Sequence, residues 1–283
     1  MLGFQLLNGL TFAALLFVVA SGFTLIFGLL RIVNLSHGAL YLLGGYVAHA
    51  VTGWTGHFAL GVAAAMAAVA VAGLALDQGL LRFVRGYELR QVLLTVGVAF
   101  VLNDLALVAW GGDTFTVPVP EALTGASEVL GVFYPNFRLF VLAAGVLVFV
   151  LLSLLIHRTR LGALIRAGVD DAEMVEATGI DIRRVFLGTF MLGSALAGLG
   201  GALGGAFLSL YPGADAEILV FSLAVVIIGG RGSLSGAALG AVLIGLLNTF
   251  GQVWFPELAY FVVFGPMALL LAFRPFGLFG RPA

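Results

Sequence analysis

One carboxylate of this chain stands well inside an apolar run: Asp104, next to Asn103, within Val92 to Trp110. An ionisable group at that depth is costly unless it faces protein or a water-filled path, so Asn103 and Asp104 are candidates for the wall of a solute pathway. Asp104 can equally be a residue near the outer end of its helix, reaching the interface. Asn34, Ser36 and His37 form a polar break after the first apolar run, and Ser235 sits in a second, Gly-rich break at Gly229 to Gly236. His37 is open to two readings, a pathway residue or a hydrogen-bonded helix start. These six residues (Asn34, Ser36, His37, Asn103, Asp104 and Ser235) are the expected lining of a translocation pathway.

The chemistry within reach is recognition and passage. No Ser-His-Asp order, no paired catalytic carboxylates and no cofactor fingerprint are found, and no catalytic residue is expected. None of His37, His49, His57 and His157 has a neighbour at metal-ligand spacing, so no metal site is expected. Gly229 to Gly236 resembles a phosphate loop at a glance. Such a loop needs a Lys beside Ser or Thr, and the 13 basic residues are all Arg. ATP, if it drives this protein, is bound by another chain, and no cofactor is expected in this one.

The elements that position these groups lie in lipid. Hydrophobic residues make up 61% of the chain and charged residues 10%, far below the roughly one-quarter charged share of soluble domains. Mean hydropathy is +1.15. No basic cluster of the kind nucleic acid requires is present. Cys is absent, which excludes disulfides and thiol chemistry. The expected fold is all-α: a single polytopic transmembrane bundle over residues 1–283, with about eight or nine spans. Two of these, near 37–51 and 218–248, are short or broken. Ile218 to Ile228 alone falls short of the ~20 residues a crossing helix needs.

One polar island interrupts the pattern. His157 to Arg184 gathers five arginines and five carboxylates between apolar flanks. Leu161, Leu164 and Ile165 recur at helical spacing. Asp170 with Glu173 reads as a capping box for a second short helix, Gly179 as its stop, and Asp181 as the cap of the next span. Two short capped helices lying on one face of the membrane are expected. Arginine asymmetry places 82–90, 157–184 and the tail in the cytoplasm, and 112–136, 211–217 and Glu257 outside. The N-terminus is then outside and the C-terminus inside. Asn34 to Leu40 aligns faintly with Ser233 to Leu239, as paired broken helices in two halves would. An inverted repeat would put the second break on the opposite side from the one this alternation gives.

Gly22 to Ala48, reading GFTLIFGLLRIVNLSHGALYLLGGYVA, closely resembles the opening of LivH-type permeases of branched-chain amino acid ABC importers. Thr159 to Ala167, Ala177 to Val185, Leu192 to Gly201 and Gly229 to Gly240 resemble later segments of that family, in order along nearly the whole chain. The resemblance implies an ABC importer permease fold in a bacterial inner membrane. It implies a second, homologous permease, two cytoplasmic ATPase subunits that bind the ATP, and a periplasmic binding protein as partners. The island becomes the coupling element, with Leu164, Met174 and Val175 as its apolar contact face, Arg166 and Glu176 at the rim, and Gly179 at the turn. Glu176-Ala177-Thr178 departs from the strict motif of such loops, and Asn103-Asp104 stands where uncharged amides are common. Relatives of this architecture are associated with urea, short amides and aromatic acids as well. A secondary transporter would want more mid-membrane carboxylates than Asp104 alone, and a purely structural membrane protein would not need a polar break in each half.

Overall fold

In hydrocarbon every backbone N–H and C=O must be satisfied within the chain, so apolar runs of this length become helices. The computed structural model describes residues 2–30, 32–129, 131–230, 232–274 and 277–279. Arg31, Arg231 and Arg281 lie outside the described residues. The helices in chain order are α1 (Leu2–Phe23), α2 (His37–Thr55), α3 (Phe58–Gly79), α4 (Glu88–Trp110), α5 (Asn136–Arg158), α6 (Arg160–Asp170), α7 (Ala172–Ala177), α8 (Ile182–Phe207), α9 (Ala214–Gly229), α10 (Leu234–Trp254) and α11 (Ala259–Phe273). Thr24–Leu29 continues α1 as a π-helix. Among the described residues, seven segments are long and apolar enough to cross a membrane, and α2 and α9 are not among those seven. A two-stranded hairpin, β1 (Ala126–Val129) with β2 (Val132–Pro135), stands in the loop before α5 and was not anticipated in an all-α reading.

The two ends of the bundle are distinct. Gly3 approaches Val132 of the hairpin, and Tyr134 bonds Thr11 at 2.9 Å, so the start of α1 lies at the hairpin end. At the other end the π-helix meets α6, Gly232 abuts Gly28, and Leu278 N–H donates to the Ile228 carbonyl at 2.8 Å. The N-terminal and C-terminal segments therefore sit at opposite ends. Gly22 and Gly193 let α1 and α8 touch backbone to backbone: a Cβ on Gly22 would lie 2.3 Å from the Gly193 carbonyl. Small residues allow such close approach of helix backbones in lipid.

The repeat read from sequence is corrected here. The break before α10 is a tight turn at the island end, the same end as Gly28, and is no counterpart of the break before α2. The latter climbs back into the bundle. His37 reaches the Val19 carbonyl at 3.0 Å, about 15 Å up the helix axis from Leu29 at the helical rise of 1.5 Å per residue. Its counterpart is 208–213, which returns from the hairpin end into α9. The two re-entrant segments deliver the first turns of α2 and α9 to one place. A Cβ on Gly38 would come 2.2 Å from the Asp215 carbonyl, which leaves room there for nothing larger than Gly. Tyr211 to Glu217 is thus no outer acidic turn: from Ala214 onward it is helix, with Asp215 buried in the first turn.

Candidate functional site

Asn34, Ser36 and His37 are fully buried at the junction of α1 and α2. The Asn34 Oδ1 accepts from Ser36 N–H at 3.1 Å and from Ser36 Oγ at 2.6 Å, which closes the turn that starts α2. His37 packs on Phe23 with ring centroids 5.4 Å apart. Its Nε2 donates to the Val19 carbonyl. Two backbone donors of the break are met from α4: Val33 N–H donates to Gln91 Oε1 at 3.1 Å and Leu35 N–H to Thr95 Oγ1 at 3.1 Å. Asn34 Nδ2 and His37 Nδ1 are buried without a partner among the described residues. Buried Gln91 and Thr95 escaped the sequence reading, although polar residues four apart at the start of a span are a visible signal.

Asn103 Nδ2 donates to Asp215 Oδ2 at 2.7 Å, linking mid-α4 to the first turn of α9. The α9 N-terminus favours that carboxylate through its unpaired N–H groups. Asn103 and Asp215 line a cavity of about 230 Å³ with Leu42, Tyr46 and Phe100. Asp104, one residue on, points away from it and is exposed on the outer side of α4. Only 11% of the most apolar stretch of α4 is buried, so this face awaits cover from lipid or another chain. Ser235 is exposed at the island end, and its hydroxyl bonds Ser233 Oγ at 3.4 Å, its one side-chain partner among the described residues. The structure therefore brings Asn34, Ser36, His37 and Asn103 around the α2–α9 junction, adds Asp215, and leaves Asp104 and Ser235 apart from it.

The island folds as two helices with side-chain caps. Thr159 accepts from Gly162 N–H at 3.1 Å to start α6, and Asp181 accepts from Arg184 N–H at 3.3 Å to start α8. Asp171, not Asp170, caps α7, accepting from Met174 N–H at 2.9 Å; Asp170 is the last residue of α6. Gly179 follows with φ +85°, a turn that a side chain would strain. Met174 is 65% exposed and Leu164 half-buried, but Val175 is turned inward at 8%. The outward apolar surface of the island is Met174 with Leu161. Arg166 donates to the Ile156 carbonyl at the end of α5, and Glu176 is exposed.

Two re-entrant helix starts meeting inside a helical membrane bundle, with a capped polar protrusion at one end, define a polytopic solute permease. The chain belongs to the family described as branched-chain amino acid transport system / permease component, whose model matches residues 5–271. It is 30% identical over 295 residues to the high-affinity branched-chain amino acid transport system permease protein BraD of Pseudomonas aeruginosa, covering 98% of this chain and 95% of BraD. Identity to the corresponding LivH of Escherichia coli K12 is 27% over 296 residues, 98% of this chain and 95% of LivH. A xylose/arabinose import permease, XylH of Sulfolobus acidocaldarius, is 30% identical over 172 residues, 58% of this chain and 46% of its own. No solved structure matches the chain.

Proposed function

We propose that this permease is the membrane subunit of an ABC importer for branched-chain or other hydrophobic amino acids. It pairs with a second permease, takes substrate from a periplasmic binding protein and is driven by two cytoplasmic ATPase subunits. BraD and LivH, which match it end to end, support the substrate class by their names. The sparsely buried α4, carrying Asp104 outward beside the Asn103–Asp215 cavity, supports a pathway completed by the second permease. ATP energy has to enter through a rigid surface, because a slack loop would absorb the motion of the ATPase.

The observation that carries the reading is the island: two capped helices, pinned to α5 by Arg166, with Met174 presented outward beside Glu176. Met174 and Leu164 fill a cleft on the ATPase, and Gly179 returns the chain to the membrane. Val175 supports this surface from behind. Met174→Asp and Gly179→Val are expected to reduce leucine uptake by at least about tenfold and to weaken capture of the ATPase subunit, as loss of a central apolar contact does. Membrane insertion stays normal. Uptake and ATPase pull-down are measured on the same preparations, and full activity with full capture in both variants refutes the coupling role.

A further inference from the structure

A second cavity, of about 310 Å³, opens at the hairpin end. It lies on the opposite face of α9 from the Asn103–Asp215 cavity: Ala214, Glu217, Ile218 and Phe221 line the one, Asp215 and Ala216 the other. Its position follows from its walls, which are the first turns of α1 and α5 and the last turns of α8 and α10.

Four features of this cavity point to a ligand. Arg138 donates to Asn8 Oδ1 and lies over the Phe207 ring at 5.2 Å, yet the ion pairs among the described residues are Asp77–Arg85 and Asp181–Arg184, and Arg138 has none. Glu217 accepts from the Tyr211 hydroxyl at 2.7 Å and likewise has no cation. That bond pushes the Tyr211 phenol up to about 12, so it remains a donor. Tyr41, 1% exposed, lines the cavity, and its hydroxyl has no hydrogen-bond partner among the described residues. Ser209, on the rim, is the one non-glycine described residue with φ in the left-handed region, at 74°, a strain that proteins concentrate at ligand sites.

A guanidinium and a carboxylate that share a cavity without pairing complement a ligand that carries both signs. Phe12, Ile218, Phe221 and Val253 supply an apolar wall beside them. We propose that this cavity binds a free α-amino acid with an apolar side chain: its carboxylate meets Arg138 and the Tyr41 hydroxyl, its ammonium meets Glu217, and its side chain lies on the aromatic and aliphatic wall. The site lies within one subunit at the hairpin end, on the opposite face of α9 from the Asn103–Asp215 cavity, and serves as an intake site. This rests on the amino-acid reading above. A zwitterionic lipid headgroup shares the paired charges, but its acyl chains have no place in a cavity of this size.

The test is equilibrium binding of radiolabelled leucine to the permease assembled with its partner subunits, without binding protein, in phosphatidylglycerol nanodiscs. Competitors are 4-methylpentanoate, which lacks the ammonium, and 3-methylbutylamine, which lacks the carboxylate. Each is expected to compete at least about tenfold more weakly than leucine, since each leaves a charged partner unmet. Arg138→Met is expected to abolish leucine binding. Glu217→Gln keeps the acceptor for Tyr211 and the packing, and is expected to bring 4-methylpentanoate close to leucine while leaving the protein assembled. Failure of leucine to bind, binding indifferent to both substitutions, or displacement by added phosphatidylethanolamine each overturns the site. Leucine uptake by the whole transporter is measured in parallel. Uptake without cavity binding refutes the site and leaves the import reading standing, whereas a transporter that takes up no amino acid refutes the import reading itself.

Discussion

At the scale of single residues, the Asn103–Asp215 pair is the clearest case of a membrane-buried polar group made tolerable by one partner. Asp215 sits at the start of α9, held by a 2.7 Å bond from Asn103. Replacing Asn103 by Leu removes that donor and leaves a buried carboxylate short of a hydrogen bond, at a cost of about 1–3 kcal/mol. Asp215→Asn keeps an acceptor for Asn103 and removes the charge. Thermal unfolding in detergent is expected to fall by several degrees for Asn103→Leu and to stay close to the parent for Asp215→Asn, while leucine uptake falls in both. Equal unfolding temperatures for Asn103→Leu and the parent would show that the pair does not hold α9 in place. Asn103 was legible in the sequence, because an amide inside an apolar run needs a partner. Asp215 was not. It stands among Tyr211, Pro212, Gly213 and Glu217, which read as an acidic turn, and only the return of 208–213 into the bundle shows that it is buried.

Among the elements, what could be read in advance was set by short-range chemistry. Asp181 as a cap and Gly179 as a stop need only their neighbours within four residues, and both stand as expected. The shift of the α7 cap from Asp170 to Asp171 shows the limit of that logic, since either carboxylate can reach an N–H three residues on. The re-entrant break before α2 depends on a distant element. Its extended backbone survives at membrane depth because Gln91 and Thr95 of α4 accept from Val33 and Leu35. Thr95 also donates to the Gln91 carbonyl at 2.8 Å, so its lone pairs stay turned toward the break. Thr95→Val keeps shape and removes the acceptor, stranding the Leu35 N–H at a cost of about 1–3 kcal/mol. Faster amide exchange at Leu35 and His37 is expected, with α4 otherwise unchanged. Thr95→Ser, which restores the hydroxyl, is expected to recover the protection. Protection that survives Thr95→Val would mean the break is held by packing alone.

For the whole molecule, the distribution of charge decides which end faces the cytoplasm. Among the described residues, the island end carries Arg82, Arg85, Arg90, Arg158, Arg160, Arg166, Arg183, Arg184 and Arg274, while the hairpin end carries the single cation Arg138 with Asp113, Glu121, Glu128, Glu217 and Glu257. Cationic loops are retained on the cytoplasmic side, so the island end is expected inside and the hairpin end outside. The same assignment would put the Arg138–Glu217 cavity on the side from which the proposed import starts, and Met174 on the side of the proposed ATPase subunits. The chain has no cysteine, so single reporters can be introduced without removing any native thiol. Glu128 and Glu173 are exposed at opposite ends, and among the described residues neither caps a helix or forms an ion pair. In intact cells, a membrane-impermeant maleimide is expected to label Glu128→Cys and to reach Glu173→Cys only after permeabilisation. Labelling of Glu173→Cys with protection of Glu128→Cys inverts the molecule, and with it both the coupling role of the island and the intake role of the cavity.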